Sequence, residues 1–277
     1  MQELLPPKAN AASALFAASA TPVTSASVVI TPTDGLVCGD VAIDCNGFPM
    51  PAYFAKPAGI EKPPVVLVLP EIFGLHAHIA DVTRRLALCG YMAVAADVMA
   101  RQGDARNYSD MPTLMAELVS RVPDEQVLND ADAIVQWAGA QGGDLSRLGV
   151  TGFCWGGRMT WLYAAHQSLV KAGVAWYGRL AGPVSAHTPR HPVDVAGKML
   201  SPVLGLYGAA DAGIPLETVA AMQRALEEGS TAARASRFVV YPDAPHAFYA
   251  DYRPSFRAAP AQAAWLEMLD WFGQHGV

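Results

Sequence analysis

The sequence predicts an α/β protein built on a doubly wound, mainly parallel sheet with helices on both faces. Short apolar runs, such as PPVVLVLP at residues 63–70 and YMAVAADV at 91–98, are typical of strands buried on both faces. Segments with helical periodicity separate these runs, and such alternation favours parallel strands joined by helical crossovers. Before them, Asn46-Gly47 lies between two strand-like segments and predicts a two-residue turn, so we expect an N-terminal β-hairpin over 36–57.

The remaining elements follow in order along the chain. Helices are predicted wherever apolar residues recur every three or four positions, and the last one presents Leu266, Leu269 and Phe272 on its apolar face. The predicted helices cover 78–90, 124–140, a segment from Gly156 onward, 216–226 and 261–272. The predicted strands after the hairpin cover 63–70, 91–98, 148–152, 174–178, 202–208 and 237–243.

The chain is long enough for one large domain. It has 277 residues, of which 52% are hydrophobic, and we expect a single domain over 36–277 preceded by an N-terminal arm over 1–35. The Ala- and Ser-rich stretch at 11–26 has the composition of a weak secretory signal. Its basic region, however, is a single lysine, Lys8, offset by Glu3. A flexible or surface-bound arm on a cytoplasmic protein is therefore favoured, with export as the alternative.

Charge and cysteine content argue against several classes of protein. The net charge is −6 and no run of lysine or arginine is present, which argues against nucleic-acid binding. No uninterrupted apolar stretch is long enough for a membrane span. Four cysteines in a chain of this length do not indicate a disulfide scaffold. A Cys38–Cys45 bridge within the hairpin stays open, although two small strand residues are the simpler interpretation.

The segment Gly152-Phe153-Cys154-Trp155-Gly156 fits the thiol version of the G-x-S-x-G nucleophile elbow. In that turn, a strained residue between a strand and a helix projects its side chain above the sheet. The glycines are needed because the strand and helix backbones pass close to each other there. The amino end of the following helix favours negative charge at the same point. Cys154 is therefore the candidate nucleophile, with a buried structural cysteine as the alternative.

A nucleophile requires a base, and the base requires an acid that orients it. Asp211 follows the predicted strand 202–208 and His246 follows the strand 237–243, in the chain order nucleophile, acid, histidine. Taken alone, Asp211 could be a loop cap and His246 could be a surface histidine. Three placements at the carboxyl ends of strands favour a catalytic triad.

His187 and His191 resemble paired metal ligands, but the intervening Pro189 is incompatible with the helical spacing that such a pair needs. We therefore expect no metal and no cofactor.

These motifs resemble the dienelactone hydrolase family (carboxymethylenebutenolidases) of the α/β-hydrolase superfamily. The shared features are GFCWGG, the upstream LPEIFGL and the downstream aspartate and histidine, and the resemblance extends from Leu36 to the C-terminus. It implies an α/β-hydrolase fold and an oxyanion hole formed by the backbone N–H groups of Ile72 and Trp155. It also implies that Glu71 participates: the thiol rests neutral against this carboxylate, which takes the thiol proton when substrate binds.

The resemblance is weaker at the residues that would bind substrate. Ala247 stands where well-known family members have a serine that helps to hold a substrate carboxylate. Arg101, in the family landmark ADVMARQ, is a candidate substrate contact, and Tyr177 and Phe248 are candidate walls of an apolar cavity. These departures place the dienelactone substrate itself in doubt.

The sequence therefore predicts a hydrolase that cleaves a lactone or small carboxylic ester through a Cys-His-Asp triad and an acyl-enzyme. A broad-specificity carboxylesterase and a catalytically silent binding protein of the same fold are the alternatives, and a metal-dependent hydrolase is a weaker one. The expected partner is a small-molecule ester or lactone, bound by a monomer or a weak homodimer.

Overall fold

A computed structural model describes residues 16–277, and its centre is one eight-stranded sheet with the order β1-β2-β4-β3-β5-β6-β7-β8. The strands are β1 (Leu36–Cys45), β2 (Phe48–Pro57), β3 (Pro64–Leu69), β4 (Met92–Ala96), β5 (Asp144–Phe153), β6 (Val170–Trp176), β7 (Val203–Gly208) and β8 (Arg237–Tyr241). Strands β3 to β8 are parallel, whereas β2 pairs antiparallel with both β1 and β4. The predicted fold class and hairpin are confirmed.

Helices connect the parallel strands and cover the sheet. The α-helices are α1 (Ala77–Leu88), α2 (Met111–Glu117), α3 (Asp124–Ala140), α4 (Trp155–His166), α5 (Pro192–Val195), α6 (Leu216–Glu227), α7 (Thr231–Ala235) and α8 (Ala258–Gln274). Short 3-10 turns lie at Ala18–Ala20, Ser25–Ser27, Ala105–Asn107, Val119–Arg121 and Ala196–Lys198. The five long helices agree with the sequence prediction. The short ones were not predicted, because four to seven residues are too few to establish helical periodicity.

The core lies between the sheet and its helices, and the strand interiors supply most of it. All five residues of β4 and all six of β7 are buried, which explains why these strands have continuous apolar sequences. The prediction for the last helix was wrong at Leu266, which is 59% exposed. The buried face of α8 contains Ala264, Met268 and Phe272 at four-residue spacing. Leu266 lies on the opposite, exposed side of the helix.

The described part of the N-terminal arm is docked on the domain. Phe16 is buried and stacks on Tyr252, with ring centroids 4.6 Å apart. The Thr24 N–H donates to the Tyr252 carbonyl at 2.7 Å, and the Thr31 N–H donates to Asp81 at 2.6 Å. Residues 1–15, with most of the stretch that suggested a secretory signal, lie outside the described residues.

Two further sequence expectations concern membrane spans and cysteines. Between residues 16 and 277, no helix combines the length and the apolar character that crossing a bilayer requires. All four cysteines are free, and Cys38 and Cys45 lie near opposite ends of the single strand β1. The Cys38–Cys45 bridge is therefore absent, and the interpretation as small strand residues holds.

Candidate active site

Cys154 occupies the tight turn between β5 and α4. Its backbone angles are φ 54° and ψ −113°, a conformation that costs energy for a residue with a side chain. The Cys154 N–H donates to the Trp176 carbonyl on the neighbouring strand β6 at 3.0 Å, and its carbonyl accepts from the Arg158 N–H at 3.2 Å. These bonds hold the turn, and the side chain lies at the carboxyl edge of the sheet.

The glycines on either side of the cysteine allow the strand and helix backbones to pass in contact. A Cβ at Gly156 would lie 2.2 Å from the Leu69 carbonyl oxygen, and one at Gly152 would lie 2.3 Å from the Gly156 carbonyl oxygen. Both contacts are with backbone, which cannot rotate away as a side chain can. The two glycines are therefore required by close packing, as the sequence predicted.

We expect Gly156→Ala to destabilise the protein by about 3 kcal/mol or more, because its methyl group would push α4 away from β3. Gly197→Ala is the matched control, since a Cβ there meets nothing within 4 Å and should change stability by less than about 1 kcal/mol. Chemical denaturation of both variants measures the difference. Equal stability of the two would show that the elbow tolerates a side chain at this position.

The structure brings the three candidate triad residues together. His246 Nε2 lies 3.1 Å from Cys154 Sγ, and His246 Nδ1 lies 2.7 Å from Asp211 Oδ2. Asp211 is buried, and its other carboxylate oxygen accepts the Gly213 N–H at 2.8 Å. The residues meet because β5, β7 and β8 run parallel, so their carboxyl ends share one edge of the sheet.

The charges around His246 favour a protonated ring once the neighbouring sulfur has lost its proton. Burial by itself lowers the pKa of this imidazole, but Cys154 and Asp211 outweigh burial and raise it to about 10. Asp211 contributes both a hydrogen bond and a negative charge. His246 can therefore accept a proton from sulfur and hold it as an imidazolium, which is what a general base for a thiol must do.

The two candidate oxyanion donors, Ile72 and Trp155, lie beside the cysteine. Both line the cavity that contains Cys154, and Trp155 is the first residue of α4. Within residues 16–277, neither backbone N–H donates a hydrogen bond. Two such N–H groups next to a nucleophile can stabilise the negative oxygen of a tetrahedral intermediate.

Glu71 is buried but does not contact the thiol in the way that the resemblance implied. Its Oε2 accepts the Tyr252 hydroxyl at 2.6 Å and lies 3.4 Å from His76 Nε2, whereas the thiol contacts His246. Burial raises the pKa of Glu71, but His76 and Tyr252 lower it, with a net value of about 2. Burial in turn lowers the pKa of His76. Glu71 is therefore an ionised carboxylate at neutral pH.

The cavity above Cys154 has a volume of about 620 Å³. Of the three candidate substrate contacts, only Tyr177 lines this cavity. Tyr177 lines the cavity and is fully buried, with φ 38°. Phe248 lies behind Tyr177 and packs on it, with ring centroids 5.3 Å apart.

Arg101 lies outside this cavity. Asp130 binds its guanidinium at 2.7 and 3.0 Å, and the Cys45 carbonyl accepts a further hydrogen bond from it. The proposed substrate contact at Arg101 is thus not supported by its position.

Sequence reasoning missed most of the cavity wall. The residues come from α2 and the turn after it, from the start of α4, from the long loop between β6 and β7, and from the loop between β7 and α6. They include Met115, Val119, Ser120, Arg158, Arg179, Pro183, Ser185, Thr188, His191 and Ile214. The signal that could have found the loop residues is the placement of this loop after a parallel strand, where sites form.

Comparisons with known proteins identify the family of this chain. The sequence model of the dienelactone hydrolase family matches residues 50–276. An Escherichia coli K12 protein with the provisional name carboxymethylenebutenolidase is 51% identical over 262 residues, which is 94% of this chain and 95% of that protein.

Solved structures show the same relationship. A Klebsiella pneumoniae crystal structure, provisionally described as a dienelactone hydrolase, matches with a TM-score of 0.83 and 52% identity over 86% of this chain and 99% of that one. A dienelactone hydrolase-like promiscuous phosphotriesterase from metagenomic libraries matches with a TM-score of 0.71 and 26% identity over 87% of this chain and 99% of that one. The chain therefore belongs to the dienelactone hydrolase family and is a carboxylic-ester or lactone hydrolase.

Proposed function

We propose that this protein hydrolyses a lactone or carboxylic ester by nucleophilic attack of Cys154, with His246 as general base and Asp211 as the residue that orients it. The observation that carries the proposal is the continuous chain of contacts from sulfur through imidazole to a buried carboxylate, 3.1 and 2.7 Å long, at the floor of a cavity. A nucleophile is activated when a base lies within hydrogen-bond reach of it and a third group orients that base, as in this arrangement.

The reaction begins with acylation. His246 Nε2 takes the thiol proton as sulfur attacks the carbonyl carbon, and the resulting oxyanion accepts the N–H groups of Ile72 and Trp155. The intermediate collapses when the C–O bond breaks, and the imidazolium gives its proton to the leaving oxygen. In an ester the alcohol departs, whereas in a lactone it stays attached as the opened end of the acyl chain. The product of this half-reaction is a thioester on Cys154.

Deacylation repeats these steps with water. His246 removes a proton from a water molecule that attacks the thioester carbonyl, and the same two N–H groups stabilise the second oxyanion. The C–S bond then breaks, the carboxylic acid leaves, and the thiol regains its proton from His246. Asp211 stays ionised throughout and keeps His246 Nδ1 protonated, so that Nε2 faces the sulfur.

Glu71 acts in this proposal through its charge and not through contact with the thiol. It is a buried carboxylate directly before Ile72, and both Glu71 and Cys154 contribute, after burial, to the raised pKa of the Tyr177 hydroxyl. A nearby negative charge opposes a second negative charge on sulfur.

A broad-specificity carboxylesterase is the second candidate, and the size of the cavity favours it. At about 620 Å³ the cavity is comparable with sites that enclose drug-sized ligands, so it can admit acyl groups larger than a small lactone ring. Both candidates use the same triad and the same thioester, and they differ in the acyl groups that the cavity walls accept.

Capture of the thioester tests the proposal. Rapid mixing with p-nitrophenyl acetate should release a burst of nitrophenolate equal to the enzyme concentration. Mass spectrometry after acid quench should then find one acetyl group on the peptide that contains Cys154. Cys89 is an exposed free thiol, so the experiment is run in a Cys89→Ser background to exclude uncatalysed acylation there. An acetyl group found only on other residues would refute the proposed nucleophile.

A further inference from the structure

Two loops of the candidate active site are joined by a buried hydrogen bond. The loop over 70–76, between β3 and α1, carries Glu71 and one of the candidate oxyanion donors. The loop over 242–257, between β8 and α8, carries His246. The Tyr252 hydroxyl donates to Glu71 Oε2 at 2.6 Å from one loop to the other, and both side chains are buried. A hydroxyl bond of this length to a carboxylate is a strong one, so it can fix the two loops relative to each other.

Phe16 of the N-terminal arm covers this bond. Its ring centroid lies 4.6 Å from that of Tyr252 and 5.5 Å from that of His76. These are the two side chains that contact the Glu71 carboxylate, since His76 Nε2 lies 3.4 Å from the same oxygen that accepts the tyrosine hydroxyl. All four side chains are buried. A hydrogen bond that is shielded from water in this way is stronger than one in contact with solvent.

Further contacts tie the arm to the same region of the protein. The Ser27 hydroxyl donates to the Asp251 carbonyl at 2.5 Å, one residue before the tyrosine. The N–H and the hydroxyl of Thr31 both donate to Asp81 on α1, at 2.6 and 3.0 Å. The arm is therefore bonded both to the loop that carries His246 and to the helix that follows the other loop, so it spans the two.

We propose that Tyr252 and Phe16 are positioning residues for catalysis. Tyr252 holds Glu71 in place, and Phe16 keeps their hydrogen bond free of water. Because Glu71 directly precedes Ile72, a shift of this carboxylate moves the peptide group that donates to the oxyanion. Such a donor stabilises the intermediate only when it lies within hydrogen-bond reach of the position that the oxygen will occupy. This inference rests on the proposed function of Cys154, and it makes the arm part of the active site although Phe16 does not line the cavity.

An analogue of the tetrahedral intermediate tests the oxyanion geometry. In trifluoroacetophenone, the Cys154 sulfur attacks the ketone carbon, His246 takes the thiol proton, and the π electrons of the carbonyl become the negative charge on oxygen. Tyr252→Phe keeps the ring and removes the hydroxyl. It should weaken this inhibitor about tenfold and lower kcat/KM for p-nitrophenyl acetate by a similar factor. Inhibition by acetophenone, which lacks the fluorine atoms that promote the addition, should stay within about twofold of the wild-type value.

Variants of Phe16 test the part played by the arm. Phe16→Ala should weaken trifluoroacetophenone about threefold, and Phe16→Leu, which keeps an apolar cover, should restore most of this loss. The double variant with Tyr252→Phe should lose less than the product of the two single effects, because Phe16 acts through Tyr252. Phe54→Ala is the matched control, since Phe54 is a buried ring on β2 that packs on Trp137. It should lower stability and leave inhibition and kcat/KM unchanged.

Tyr163→Phe is the matched control for the hydroxyl. Tyr163 is also buried and donates to a carboxylate, that of Asp132 at 3.0 Å, but it lies on α4 away from the cavity lining. Unchanged affinity for trifluoroacetophenone in Tyr252→Phe, or an equal loss in Tyr163→Phe, would overturn the role of Tyr252. A loss of stability in Phe16→Ala with unchanged inhibition would overturn the role of the arm. If Cys154→Ala instead binds trifluoroacetophenone as tightly as the wild-type protein, the proposed function fails, and this inference with it.

Discussion

Replacing Cys154 by alanine should reduce turnover of esters and lactones by a factor on the order of 10⁴ to 10⁶ and leave the fold unchanged. The reduction is large because, among residues 16–277, the side chain that contacts His246 Nε2 is Cys154, whose sulfur lies 3.1 Å away. Steady-state kinetics with p-nitrophenyl acetate, together with circular dichroism of the variant, measure both parts of this prediction. Undiminished turnover in the alanine variant would reject covalent catalysis at this residue.

Cys154→Ser separates the need for a nucleophile from the need for a thiol. Serine keeps the shape of the elbow but supplies a smaller atom and a hydroxyl that His246 deprotonates far less readily than a thiol. We therefore expect most of the activity to be lost here as well. Cys38→Ala is the control for removal of a thiol, because Cys38 lies on the hairpin strand β1 and does not line the cavity. Full activity of the serine variant would argue against a special role for sulfur.

The parts of this protein that the sequence predicted well are those specified by local chemistry. Asn46 has φ 55° and Gly47 has φ 84°, which is the left-handed pair that a two-residue hairpin turn requires. The glycines of the elbow are likewise required by backbone contacts within and next to the turn. For Asp211 and His246 the prediction needed one further step, namely that parallel strands present their carboxyl ends at one edge.

Long side chains were less predictable, because partners distant in sequence decide where they point. Arg101 follows a strand in the expected place, but the buried carboxylate of Asp130 and the ring of Phe48, 4.6 Å from the guanidinium carbon, hold its guanidinium elsewhere. Glu71 contacts Tyr252, which lies 181 positions later in the chain. Neither pairing has a periodic or local signature in the sequence.

The cavity wall was unpredictable for a related reason. Apart from the first turn of α4, its residues lie on a short helix and on loops, where apolar side chains follow no regular spacing. The positions of the reacting groups follow from the ends of the strands, which can be predicted from the sequence. The shape of the cavity, which decides substrate preference, follows from segments that cannot be predicted in this way. This division explains why a triad can be proposed from the chain alone, whereas the cavity wall required coordinates.

Asp211→Asn should lower kcat by about 10³- to 10⁴-fold without disturbing the fold. An asparagine oxygen can still accept the Gly213 N–H, but its amide nitrogen cannot accept a proton from His246 Nδ1. The ring then favours the tautomer with hydrogen on Nε2, which faces the sulfur and can no longer take its proton. The variant also loses the hydrogen bond and the charge that help to raise the pKa of His246 to about 10, so the imidazolium should lose its proton at lower pH.

Asp132→Asn makes the same chemical change at another aspartate–histidine pair. Asp132 lies on α3, away from the cavity lining, and its Oδ2 is 2.9 Å from His166 Nε2. Turnover should stay near the wild-type value in this control, while ¹⁵N NMR of the histidine rings follows the pKa of His246 in all three proteins. A normal kcat in Asp211→Asn with a lowered His246 pKa would mean that Asp211 tunes the imidazole without orienting it for catalysis. An unchanged kcat together with an unchanged pKa would remove Asp211 from the triad, since its carboxylate would then contribute nothing to the state of the base.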